Sequence, residues 1–144
     1  MKYRLTKYTV SLVRDSSVMQ EGSKRINCVA DLPLEDMRLL DREQLRAYFL
    51  DSRHGLIGWE VVSQGSIDAS IAHPREVLKG AILSNSAGII IAHNHPSGDP
   101  SPSENDIRLT RRMAEACKII GIELLDHVIV GEQGRYSFKA ANQL

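Results

Sequence analysis

A chain of 144 residues is long enough for one well-formed core and too short for two comfortable domains. Its 18 basic and 18 acidic residues cancel, which argues against the broad basic surface of a dedicated nucleic-acid binder, and 42% hydrophobic content is ordinary for a globular protein. No apolar run approaches the roughly 20 residues of a membrane span, and MKYRLTKYTV lacks the apolar stretch of a secretory signal, so the expected compartment is the cytoplasm.

The first 30 residues carry Lys2, Arg4, Lys7, Arg14, Lys24 and Arg25 against Asp15 and Glu21, a basic bias that reads as a solvated strand edge. Tyr8 to Arg14 alternates like a strand, and SSVMQEGSK after it reads as a polar loop. A short helix is expected from Leu34 to about Leu40. Residues 1–40 thus form a strand-and-helix extension packing on a domain that spans 41–144. Leu45 to Leu50 and Leu56 to Ser63 are apolar runs around Asp51-Ser52-Arg53-His54-Gly55, a hairpin signal. Glu60 falls inside the second strand, a carboxylate where local preference would not put one.

Gly65 ends that strand, and Pro74 suits the first turn of a helix continued by Val77, Leu78, Ala81 and Ile82. Gly88 to Ala92 is continuously apolar, the mark of a strand buried on both faces. Ser103 reads as the N-cap of a helix with Asp106 in its first turn, stopped by Gly121. Leu124 to Val130 and Tyr136 to Phe138 read as the last strands. This alternation predicts an α/β fold, a mixed sheet between helices. Cys28 and Cys117 do not suggest a disulfide framework, and Cys117 reads as a buried thiol.

The chemistry concentrates after the apolar strand. Residues i and i+2 of a strand share a face, so His93 and His95 can aim two imidazoles at one point. Asp106, returned by the loop onto a helix start, adds an oxygen. Two nitrogens and a carboxylate with an open fourth position form the donor set of a catalytic zinc, although Fe²⁺, Mn²⁺ or Co²⁺ fit the same ligand types. Glu60 is the candidate to take the water's proton, and Ser103 could donate to an oxyanion or serve only as an N-cap. Asp126 and His127 are neighbours on one strand that point to opposite faces, so they read as structural. Asp99 reads as a turn residue, His73 as an aid to the helix start, and Arg75 with Glu76 as a local ion pair.

His93-Asn94-His95-Pro96-Ser97-Gly98-Asp99-Pro100, with Ser103 and Asp106, resembles the JAMM signature of the JAB/MPN metalloproteases. The phrases HPREVLKGA before it and IGIELLDHVIVG after it make the chain similar to the RadC-like branch, from Asp41 to Phe138. The resemblance implies a three-layer αβα sandwich around a mixed sheet, of MPN or cytidine-deaminase-like type. It implies one Zn²⁺ per chain on His93, His95 and Asp106, water activated by Glu60, and Ser103 near the oxyanion. It departs from full-length RadC-like proteins in having no room for their N-terminal helix-hairpin-helix region.

The expected activity is therefore zinc-dependent hydrolysis of a peptide or isopeptide bond. The expected partner is a protein or peptide substrate, without membrane or direct nucleic-acid binding, and a homodimer is left open. The competing class is a DNA-repair accessory protein whose metal site is not proteolytic; a third is a non-catalytic MPN scaffold, against which all the ligands are present. A zinc deaminase is disfavoured because no Cys-x-x-Cys occurs.

Overall fold

The hairpin forms where Asp51 can organise it. Its carboxylate accepts from the backbone N–H groups of Arg53 and Gly55, each at 2.8 Å, closing the turn between β1 (Glu43–Leu50) and β2 (Leu56–Gly65). The computed structural model describes residue 2 and residues 4–15, 25–65 and 72–144. The further elements are α1 (Pro74–Leu83), β3 (Gly88–Asn94), α2 (Glu104–Ile120), β4 (Glu123–Gly131) and β5 (Gly134–Ser137). They build one mixed sheet in the order β2-β1-β3-β4-β5, with only β3 and β4 parallel. A parallel pair needs a crossover, and α2 supplies it.

The helix ends obey simple capping chemistry. His73 caps α1, its Nδ1 accepting from the Arg75 N–H at 3.2 Å, and Pro74 takes the first turn, where its missing N–H costs nothing. Gly121 closes α2 at φ 82°, a left-handed conformation that glycine adopts without Cβ strain. Both helices pack on one face of the sheet. Val77, Leu78 and Ala81 of α1 join Leu109, Met113 and Cys117 of α2 over Ala47, Phe49, Ile89 and Ile91. Burial also raises the Cys117 thiol to about 11, so it stays protonated and packs as a small apolar group.

The opposite face is covered differently from a layer of α-helices. Two 3-10 helices, Val29–Asp31 and Glu35–Leu39, bring Leu32, Leu34 and Met37 against Tyr48, Leu50, Ile90, Val128 and Val130. Leu34 and Met37 have no exposed surface; burial of such side chains contributes roughly 1.5–3 kcal/mol each before ordering costs. This layer is tied down by Arg46, whose guanidinium makes a two-pronged contact with Asp36 at 2.6 and 3.0 Å and lies 4.7 Å from the Trp59 ring centre. With both faces covered, every residue of β3 is buried, which explains its unbroken apolar run.

One expected element is missing. Tyr8 to Arg14 belongs to no strand and is exposed. Alternation makes a strand only where a neighbour completes the hydrogen-bond ladder, and among the described residues none pairs with this segment. The loop expected at 16–24 lies outside the described residues.

Candidate metal centre

His93 sits on β3 and His95 one residue beyond its end, held in register by its N–H to the Val130 carbonyl at 2.8 Å. Asp106 is the third residue of α2 and half of a capping box. Its Oδ2 accepts from the Ser103 N–H at 2.8 Å, while Ser103 Oγ accepts from the Asp106 N–H at 3.2 Å. The same local chemistry that starts the helix therefore fixes the carboxylate. Among the described residues these three form the group able to hold a metal ion.

The donor atoms converge tightly. His93 Nε2 lies 3.0 Å from Asp106 Oδ1, His95 Nε2 lies 3.1 Å from Oδ2, and the two Nε2 atoms are 3.1 Å apart. Ligands at about 2.0–2.1 Å around a tetrahedral ion stand about 3.3 Å from one another, so this triangle needs little adjustment. Hydrogen bonding points the same way. His95 Nδ1 donates to the Asp99 carbonyl at 2.8 Å, which leaves a neutral His95 with a bare lone pair on Nε2. A lone pair facing a carboxylate and another imidazole nitrogen calls for a cation.

The electrostatics agree. Burial alone would raise the Asp106 carboxyl, but the His93 and His95 imidazoles set against it, together with the Ser103 N–H that donates to it, outweigh burial and hold it far below the usual carboxylate range. The Asp106 carboxylate facing Nε2 chiefly raises His95, since it favours a cation at that nitrogen. His127 is held well below the ordinary histidine value by burial first and by His93 second, so it is neutral.

The remaining expected site residues are distributed as follows. Ser103 is exposed at the site and caps α2, and its hydroxyl accepts one bond there. Glu60 is on the same sheet face as His93, opposite Ala47, which in turn faces Ile91. Its Oε1 is buried without a hydrogen-bond partner beneath Gly80, whose Cβ, were there one, would lie 2.5 Å from it. Burial raises this carboxyl, and the charges acting on it are those of Lys79 and Glu76 on α1. Glu60 therefore leans toward α1 and is not part of the ligand group.

Glu43 is the carboxylate at the metal end of the sheet. It begins β1 two residues before Leu45, the cross-strand partner of His93, and by alternation shares the face of Leu45 and Ala47. Its charge contributes to raising His95. Asn94, between the two histidines, brackets it: its Oδ1 accepts from the Gln44 N–H at 2.8 Å and its Nδ2 donates to the Arg42 carbonyl at 2.9 Å. Neither Glu43 nor this clamp was foreseen, because no local pattern marks a glutamate ahead of an apolar strand.

Asp99 is a turn residue, accepting from the Ser101 N–H at 2.9 Å, and its carbonyl orients His95. Arg75 and Glu76 approach to 3.9 Å, with Lys79 closer to Glu76 at 2.9 Å. Asp126 turns away from the site, accepting from the Ser137 hydroxyl at 2.5 Å and the Lys139 N–H at 3.0 Å. His127 does not share that role, since its Nε2 lies 2.8 Å from His93 Nδ1.

The same ligand arrangement lies inside the region that the RadC-like JAB domain matches, residues 24–144. The chain belongs to the RadC-like JAB domain family. A UPF0758 protein of Syntrophomonas wolfei subsp. wolfei (strain DSM 2245B / Goettingen) is 53% identical over 112 residues, covering 78% of this chain and 48% of the relative. UPF0758 proteins of Moorella thermoacetica (strain ATCC 39073 / JCM 9320), 52% identical over 116 residues, and Methanococcoides burtonii (strain DSM 6242 / NBRC 107633 / OCM 468 / ACE-M), 46% identical over 129, cover 81% and 87% of the chain. The matches take in 51% and 56% of those two proteins, so the chain spans about half the length of these curated relatives. The RadC-like JAB match includes every donor of the triangle, together with Glu43 and Glu60.

Proposed function

We propose that this chain is a zinc-dependent hydrolase of amide bonds, in a peptide or an isopeptide, with His93, His95 and Asp106 holding the metal. The observation that carries the reading is the triangle of donor atoms 3.0–3.1 Å apart at a sheet end, with His95 partly open to solvent. When bound there, a divalent ion polarises an amide carbonyl and lowers the pKa of an attacking water.

The chain's own groups then divide the proton work. A carboxylate must take the water's proton and hand it to the leaving amine. Glu60 is one candidate, but its carboxylate interacts with Lys79 and Glu76 beneath α1. Glu43 is the better one, because its charge acts on His95 and Asn94 fixes the backbone on either side of it. Ser103 Oγ accepts from Asp106, which leaves its own O–H free to donate to a developing oxyanion.

The test is amide cleavage by the metal-loaded chain against a panel of peptide and isopeptide substrates. Glu43→Gln should retain metal and lose turnover by about 10²–10⁴, while Glu60→Gln keeps most of it. The reverse pattern returns the base role to Glu60. Absence of any cleavage by the metal-loaded wild-type chain contradicts the hydrolase reading.

A further inference from the structure

The proton work leaves one buried group unused. His127 lies on β4, with no exposed surface, its ring stacked on Phe138 at 4.8 Å and 5°. A histidine so buried in an apolar setting is most often satisfied by one polar neighbour, and Thr110 would suffice. Instead His127 bonds at both nitrogens, and the second bond goes to a metal ligand.

The direction of each bond follows from counting protons. The Thr110 hydroxyl donates its single hydrogen to the Asp106 carbonyl at 2.7 Å. Its oxygen can then only accept from His127, so Nδ1, 2.6 Å away, carries the hydrogen. In a water-free setting the ring is neutral and has no other, which makes Nε2 an acceptor. His93 Nδ1, 2.8 Å from it, must be the donor, and His93 Nε2 is left as a bare lone pair facing Asp106 Oδ1 at 3.0 Å. The circuit closes on itself. It leaves Asp106 by its backbone carbonyl, passes Thr110, His127 and His93, and returns to the Asp106 carboxylate.

We infer that Thr110 and His127 are positioning residues, a relay that sets the tautomer and ring orientation of His93 so that Nε2 faces the metal. The inference rests on the metal site proposed above. A hydrogen-bonded partner of a ligating histidine fixes its orientation and raises its basicity, and losing one typically costs about 10–100-fold in metal affinity. Because Thr110 stands one helical turn after Asp106, a single stretch of α2 supplies one ligand and orients another.

The experiment is Zn²⁺ competition against a chromophoric chelator on the full chain, paired with the visible absorption of its Co²⁺ form. Thr110→Val keeps the side chain's shape and removes the hydroxyl, and should weaken Zn²⁺ binding about tenfold with altered Co²⁺ bands. Thr110→Ser should restore both. His127→Leu should weaken binding about 10–100-fold, whereas His127→Gln, whose amide oxygen can accept from His93, should lose less. A histidine that only fills the core would lower stability in these variants without separating Val from Ser in affinity. Should His127→Leu fail to fold, the Thr110 pair decides. A wild-type chain that takes up no Zn²⁺ defeats the metal site itself. A wild-type chain that binds Zn²⁺, with Thr110→Val and Thr110→Ser binding equally tightly, overturns the relay alone.

Discussion

At the scale of single residues, the centre is built from groups that each do two things. Asp106 caps a helix start and offers both carboxylate oxygens to the histidines. Ser103 is similar, and its two possible roles can be separated. As an N-cap, its loss in Ser103→Ala should cost about 1 kcal/mol of stability, read in chemical unfolding of the metal-free chain. Its backbone N–H still holds Asp106 Oδ2 in that variant, so metal affinity should change little. If the hydroxyl also donates to the oxyanion, kcat falls by a further factor of about 10²–10³. An unchanged kcat confines Ser103 to the cap.

At the scale of elements, the loop after β3 is as much a part of the site as the strand. Gly98, at φ 89°, accepts from the Gln133 N–H at 3.1 Å, docking the loop on the β4–β5 turn. Beneath it lies Gly131, where an added Cβ would run into the Gly98 carbonyl and approach Pro100 N to 3.0 Å. Backbone cannot step aside as a side chain end can. Gly131→Ala should therefore destabilise by about 1–3 kcal/mol and displace the Asp99 carbonyl that orients His95. Loss of thermal stability together with weaker Zn²⁺ binding would bear this out; a variant unchanged in both would show the loop to be loosely docked.

Elements also set how much of the site could be read in advance. His93, His95 and Asp106 are close in the chain, and their geometry follows from strand alternation and a helix cap, both local. The hairpin, the buried β3 and the ends of α2 are legible for the same reason. Glu43 and His127 are not, since the β1–β3 pairing is what sets the start of β1 at the His93 end of the sheet, and His127 lies 34 residues from its partner His93. Sheet order decides both. Local alternation also misleads: Tyr8 to Arg14 has the pattern of a strand and, among the described residues, no neighbour to complete it.

At the scale of the whole molecule, a neutral chain wraps one mixed sheet in two unlike layers, and among the described residues no helix is long and apolar enough to cross a membrane. The metal end of the sheet gathers β3, α2 and the loop between them, so an ion there would bind the folded state and stabilise it, by about 4 kcal/mol when present at a thousand times its Kd. The account stands on that ion being held by His93, His95 and Asp106. Metal content of the purified chain, measured by elemental analysis after exposure to Zn²⁺ and removal of excess, tests it most directly. About one zinc per chain, lost in Asp106→Ala and in His93→Ala, is the expected result; no stoichiometric metal in the wild-type chain, or full retention in both variants, would contradict it.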